Sequence, residues 1–140
     1  MTLTEVAVED AEVLLISADD DVVRARQATR AIAAKASLSL VEQTKVVTAA
    51  SELARNTLIY GGGGQVRVEL VRSARRTGVR LQFSDDGPGI KDIDLALTDG
   101  YTTGTGLGLG LSGSRRLVDE FDIRSGSESG TVITIVKWGR

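Results

Sequence analysis

Glycine is concentrated in three blocks, Gly61 to Gly64, Gly87 with Gly89, and Gly104 to Gly110, and each falls where a periodic segment has to stop or turn. Four consecutive glycines end the apolar periodicity that precedes them. Asp85-Asp86-Gly87-Pro88-Gly89 follows an alternating, strand-like run. Gly104-Thr105-Gly106-Leu107-Gly108-Leu109-Gly110 precedes a second helical pattern. These breaks cut the chain into short helices and strands.

Between the breaks, periodicity assigns the elements. Glu12 to Ser17 reads as a short apolar strand, and the acidic cluster Asp19, Asp20 and Asp21 suits the positive end of a helix. Val22, Ala25, Thr29, Ile32 and Ala36 recur at three- and four-residue steps, which predicts a helix through about residue 36. Ser39 with Glu42 forms a capping box, so a second helix starts at Ser39 and runs to Gly61, with Val41, Thr44, Val47, Ser51, Ala54 and Leu58 on its apolar face. Val66, Val68 and Leu70 alternate with polar residues, as do Val79, Leu81 and Phe83, which predicts a hairpin turning at Arg75-Arg76-Thr77-Gly78. A short helical piece at Asp92 to Leu97, a helix from Leu111 to Phe121, a turn at Glu128-Ser129-Gly130 and a strand from Thr131 to Trp138 complete the reading. Antiparallel strands with helices supplied in separate blocks predict an α+β fold, a two-layer α/β sandwich built as one domain over residues 1–140.

Composition removes whole classes of function. The 140 residues contain no cysteine and no histidine, which excludes disulfides, thiolate metal sites and imidazole catalysis. A net charge of −2 with dispersed Lys and Arg offers no basic stripe for nucleic acid, and Arg72, Arg75 and Arg76 read as a solvated turn. No apolar run approaches the roughly 18 to 20 residues that span a bilayer, and the acidic start lacks the features of a secretory signal, so the expected location is cytoplasmic.

Chemistry then rests on three blocks taken together. Glu52 and Asn56 lie four apart on a helix and project from one face. The Asn56 amide offers a neutral oxygen to a hard cation such as magnesium, and Glu52 can polarise a water or hydroxyl. Alone, such a pair is an ordinary polar edge of an amphipathic helix; the downstream glycines change its meaning. Asp85 ends a strand where Gly87 and Gly89 allow a flat ring to approach, and a buried carboxylate there would accept the exocyclic amine of adenine and oppose the carbonyl of guanine. The third block feeds a helix start, a natural cradle for phosphates, and Asp99 to Gly106 has the makings of a lid. No Gly-Lys-Ser or Gly-Lys-Thr occurs, so a Walker A loop is absent. Gly108, Gly110 and Gly113 satisfy G-x-G-x-x-G, but no strand directly precedes them and no acidic residue ends a second parallel strand, so the match is accidental.

The order Glu52 to Asn56, Asp85 to Gly89, Gly104 to Gly110 and Gly130-Thr131 resembles the N, G1, G2 and G3 elements of the GHKL ATPase/kinase superfamily, whose Bergerat fold is a mixed, mainly antiparallel sheet covered on one face by helices, with a glycine-rich ATP lid. Glu-Leu-Ala-Arg-Asn-Thr with Tyr60-Gly61, Asp99-Gly100-Tyr101-Thr102-Thr103 and Arg115 to Phe121 resemble in particular the RsbT-type serine/threonine kinases of stressosome signalling, over roughly residues 10 to 140. The resemblance implies ATP and Mg2+ as cofactors, Glu52 as catalytic carboxylate and Asn56 as magnesium ligand. It implies Asp85, Gly87, Gly89 and Thr131 around adenine, and Gly104, Gly106, Leu107, Gly108 and Gly110 at the phosphates. STAS-domain proteins are the implied acceptors and a serine phosphatase a further implied partner; a nucleotide-gated anti-sigma-type switch is the alternative. Leu109 and Ser112 depart from the small residue and proline expected of close relatives. With no histidine, the chain lacks the phosphoacceptor of a sensor histidine kinase.

Overall fold

A computed structural model describes residues 3–90, 97, 110–126 and 130–139. Five strands, β1 (Ala7–Ile16), β2 (Gly64–Ser73), β3 (Arg76–Asp85), β4 (Glu120–Gly126) and β5 (Gly130–Trp138), form one sheet in the order β1-β2-β3-β5-β4, with every neighbouring pair antiparallel. Among the described residues, helices α1 (Asp19–Lys35), α2 (Leu40–Ile59) and α3 (Gly110–Arg116) accompany the sheet. This is the expected α+β sandwich.

Local chemistry starts each long helix. The Asp21 carboxylate accepts from Ser17 N at 2.9 Å and Ala18 N at 3.1 Å and pairs with Arg24, which satisfies donors ahead of α1. Those contacts, the Ser17 amide foremost, hold the Asp21 carboxyl below the usual range. At α2 the capping box is complete: Glu42 N donates to Ser39 Oγ at 3.2 Å, and Ser39 N donates to Glu42 Oε1 at 2.9 Å.

The α1 stripe packs as its periodicity predicts, with Val22, Ala25, Thr29 and Ile32 all buried. The α2 stripe is rotated from the expected one. Val46, Ala49, Ala50, Leu53 and Thr57 are buried with Val47 and Ala54, whereas Val41 and Thr44 are exposed, because the helix packs on the sheet, α1 and α3 at once and so buries an arc wider than one stripe. Against these helices the sheet presents Val66, Val68, Val79, Leu81, Phe83, Ile133 and Ile135, none more than 5% exposed, in one continuous core.

Three boundaries differ from the sequence expectation. Strand β1 begins five residues earlier than Glu12, because it pairs with β2 as far as Ala7 despite an irregularity between Val8 and Asp10. The hairpin turns at Ala74 and Arg75, with Ala74 at φ 51, while Arg76, Thr77 and Gly78 are strand residues paired with Ser73, Arg72 and Val71. Gly78 serves packing there, since a Cβ would lie 2.8 Å from the Trp138 ring. The helix expected over Leu111 to Phe121 ends at Arg116, and Glu120 to Gly126 pair with β5 as an edge strand. The expected helical piece at Asp92 to Leu97, the lid at Asp99 to Gly106 and residues 128–129 of the last turn fall wholly or largely outside the described residues.

The sheet face away from the helices has its own cover. Val6 packs on Val71, Val136 and Trp138, and Thr4 N donates to Glu120 Oε1 at 2.8 Å, so the segment before β1 straps that face. Beside it, buried Glu69 accepts from Arg80 Nε at 2.6 Å and from Arg67 Nε at 2.8 Å. Trp138 is therefore core, with Arg76 over its ring at 4.2 Å from the centroid.

Candidate functional site

Of the sequence-predicted residues, Glu52, Asn56, Asp85, Gly87, Gly89 and Thr131 lie where the C-terminal end of α2 meets the ends of β3 and β5. Glu52 is half-buried, with its Oε2 sealed from solvent, and Asn56 follows one turn later on α2, also half-buried. Thr57, next to Asn56, is buried and donates Oγ1 to Leu53 O at 3.0 Å, which pins the turn between the two polar residues to the core.

Helix α2 then stops in a way that reaches Asp85. The Asn56 carbonyl accepts from Tyr60 N at 2.9 Å and from Gly61 N at 3.2 Å, and Gly63 N donates to Thr57 O at 3.0 Å. Gly62 and Gly63 take left-handed φ values of 73° and 100°, which turn the chain directly into β2. In this turn Gly61 lies against the Asp85 side chain; a Cβ on Gly61 would stand 2.6 Å from Asp85 Oδ2.

Asp85 is fixed on several sides. Its Oδ1 accepts from Gly87 N at 2.9 Å, closing a tight turn at the end of β3. Across the sheet Asp85 pairs with Gly64 of β2 and with Thr131 of β5. Gly130, at φ 72°, sits where any Cβ would run into the Asp85 carbonyl oxygen. Gly89, at φ 78°, passes over the Gly126 carbonyl, and Ile90 N donates to Ser125 Oγ at 2.7 Å. Ser125 Oγ is 2.8 Å from Thr131 Oγ1, so one hydroxyl of β4 ties the loop after Asp85 to Thr131, which is itself 7% exposed.

Asp85, Gly87, Gly89 and Thr131 are thus brought together with the end of the helix that carries Glu52 and Asn56. Gly110, at φ 66°, opens α3, which packs against α2. Gly104, Gly106, Leu107 and Gly108 lie outside the described residues. Ser112, the residue standing where a proline was expected, is buried in α3 at 5% exposure. A depression of about 370 Å³ lined by Gly64, Gln65, Ser84, Asp85 and Asp86 borders the cluster without including Glu52 or Asn56. Sequence reasoning gives no role to Ser125, because residues 122–127 carry no assigned element, and sees in Gly61 only a helix terminator and a mark of resemblance.

Among the described residues no group of three or more carboxylates is placed to hold a cation by itself. One amide oxygen at Asn56 with Glu52 nearby suits magnesium that arrives with most of its ligands from phosphates and water. Among the described residues, too, no helix is long and apolar enough to cross a membrane.

Comparison with known proteins places this arrangement. Residues 41–138 match the family described as histidine kinase-, DNA gyrase B-, and HSP90-like ATPase. The chain is 41% identical over 131 residues to the serine/threonine-protein kinase RsbT of Bacillus subtilis, covering 94% of this chain and 98% of that protein. It is 31% identical to an anti-sigma F factor of Clostridium novyi, covering 81% of this chain and 82% of that one. The crystal structure of the RsbU and RsbW domains of a Mycobacterium tuberculosis protein shares the fold, with a TM-score of 0.65 at 20% identity; the match covers 94% of this chain and 33% of that longer one. The chain belongs to the histidine kinase-, DNA gyrase B- and HSP90-like ATPase family and, within it, to the RsbT-type serine/threonine-protein kinases.

Proposed function

We propose that this kinase uses Mg-ATP to phosphorylate a serine or threonine of STAS-domain antagonist and scaffold proteins in a cytoplasmic partner-switching module, and that it then binds an effector such as a serine phosphatase. The observation that carries the reading is the joint between α2 and Asp85: the helix bearing Glu52 and Asn56 ends with Asn56 O holding the amide of Gly61, and Gly61 abuts the Asp85 carboxylate. One rigid helix end thereby spaces the phosphate end of a nucleotide from its base end.

In this reading Asp85 accepts the adenine amine, with Gly87 and Gly89 shaping the approach and Thr131 beside it. Asn56 would hold magnesium together with phosphate oxygens, and the metal supplies neutralisation of phosphate charge when bound. Glu52 takes the proton of the acceptor hydroxyl as its oxygen attacks the γ-phosphorus, the bond to the β-phosphate oxygen breaks, and ADP leaves. Catalysis of this kind is mainly positioning and charge stabilisation. Gly104, Gly106, Leu107, Gly108 and Gly110 are assigned to phosphate contact and closure.

The test is transfer of labelled γ-phosphate to a STAS-domain protein. Label on serine or threonine that disappears in Asn56→Ala supports the reading. The similarity to anti-sigma F factors supports a second reading, a nucleotide-gated binding switch with little catalysis. Nucleotide-dependent binding of the STAS-domain protein with no label transferred would favour it.

A further inference from the structure

We infer that Gly61 is a positioning residue for the Asp85 carboxylate and thereby sets recognition of the purine 6-amino group, an inference that rests on the adenine-reading role proposed for Asp85. The carboxylate lies in a slot between two glycines. On one side Gly87 N donates to Oδ1 at 2.9 Å; on the other, a Cβ at Gly61 would come within 2.6 Å of both Asp85 Cβ and Oδ2 and would overlap Cγ. The slot walls also touch each other, since a Cβ at Gly87 would be 2.8 Å from Gly61 Cα and 3.0 Å from Gly61 O.

Gly61 cannot easily retreat. Its amide is bonded to Asn56 O in the last turn of α2, so any side chain there must displace Asp85 rather than the helix. The requirement at Gly61 is also purely one of space, because Gly61 is not among the glycines with positive φ, whereas Gly62 and Gly63 are. Gly62 supplies the complementary case: its φ is 73°, yet a Cβ there meets nothing within 4 Å. Space at Gly61 and strain at Gly62 therefore separate the orientation of Asp85 from the stability of the turn. A carboxylate that reads an amine needs one lone pair aimed at it, and a shift of the side chain leaves that amine desolvated without its acceptor.

The experiment measures binding of Mg-ATP and of Mg-purine riboside triphosphate, which lacks only the 6-amino group, to the wild type, Gly61→Ala, Gly62→Ala and Gly87→Ala. The wild type should prefer ATP by about tenfold, the value of one well-placed hydrogen bond to a charged group. Gly61→Ala should lose about tenfold in ATP affinity while affinity for the purine riboside triphosphate changes by less than about twofold, abolishing the preference. Gly62→Ala should keep it. Gly87→Ala closes the same slot from the other side and should repeat the loss, which keeps the test decisive if Gly61→Ala fails to fold. A wild type without preference would overturn the reading of Asp85 and this inference with it. A preferring wild type whose preference survives in Gly61→Ala, or in Gly87→Ala where Gly61→Ala does not fold, would overturn the inference alone, and so would an equal loss for both nucleotides, which would make Gly61 merely structural.

Discussion

At Asp85 the side chain and the main chain are held by different glycines, and the consequences of substitution differ accordingly. The carboxylate is the group proposed to read adenine, so Asp85→Asn, which turns an acceptor into a group that also donates, should weaken ATP binding by about tenfold or more with little change in stability, as titration calorimetry would show. Equal affinity in the variant would contradict the assignment. The main chain depends on Gly130, whose left-handed φ and close approach to the Asp85 carbonyl both forbid a side chain. Gly130→Ala should cost about 2 kcal/mol or more in urea unfolding, and a loss below about 0.5 kcal/mol would show that the turn relaxes freely. Of these residues Asp85 and Gly87 are legible in sequence because their contact is local, two positions apart. Gly61 and Ser125 are not, because what they touch, Asp85 and Thr131 or Ile90, is set by which strands and helix ends meet.

The elements divide in the same way. Helices α1 and α2 are announced by chemistry at their own starts, the acidic first turn and the Ser39–Glu42 capping box, and both begin where those signals place them. Ser39→Ala should therefore lower stability by about 1 kcal/mol in chemical denaturation, and no change would mean that packing alone holds the first turn of α2. Strand β4 is announced by nothing local. Leu111, Ser114, Leu117 and Phe121 fall at helical steps, while Phe121 and Ile123 also alternate, and the ambiguity is resolved by pairing of Phe121 with Ile135 and Ile123 with Ile133 on β5. The buried face of α2 differs from its periodic stripe for a related reason: a helix that meets a sheet and two other helices buries more than one stripe, and periodicity reports only the stripe.

Across the whole molecule, strand order and the strap over the far face of the sheet are long-range facts that no window of sequence contains, although the two-layer class follows from the succession of elements. That far face carries a pH dependence. Burial pushes Glu69 up, but hydrogen bonds from Arg80 and then Arg67 outweigh it and hold its carboxyl below the usual range. Glu120 is likewise raised by burial and lowered by the Thr4 amide and the Trp138 ring N–H, with a net shift downward. Folded values below the unfolded ones mean stability that is present above the ordinary glutamate range and lost as pH falls through the depressed folded values. Acid should therefore free the strap, and the single tryptophan reports it: Trp138 emission should shift to the red as pH falls below the ordinary glutamate range, and Glu120→Gln, which mimics the protonated acid, should show shifted emission already at neutral pH with a smaller further change in acid. Emission independent of pH down to the point of global unfolding would contradict the coupling. The central claim, that the α2–Asp85 joint is the nucleotide site of a protein kinase, is tested most directly by following labelled γ-phosphate from Mg-ATP onto a STAS-domain protein with wild type and Asn56→Ala side by side. The account predicts label on serine or threonine with the wild type and at least about a hundredfold less with a variant that still melts cooperatively, the scale of removing one transition-state electrostatic contact; undiminished transfer by Asn56→Ala would contradict it.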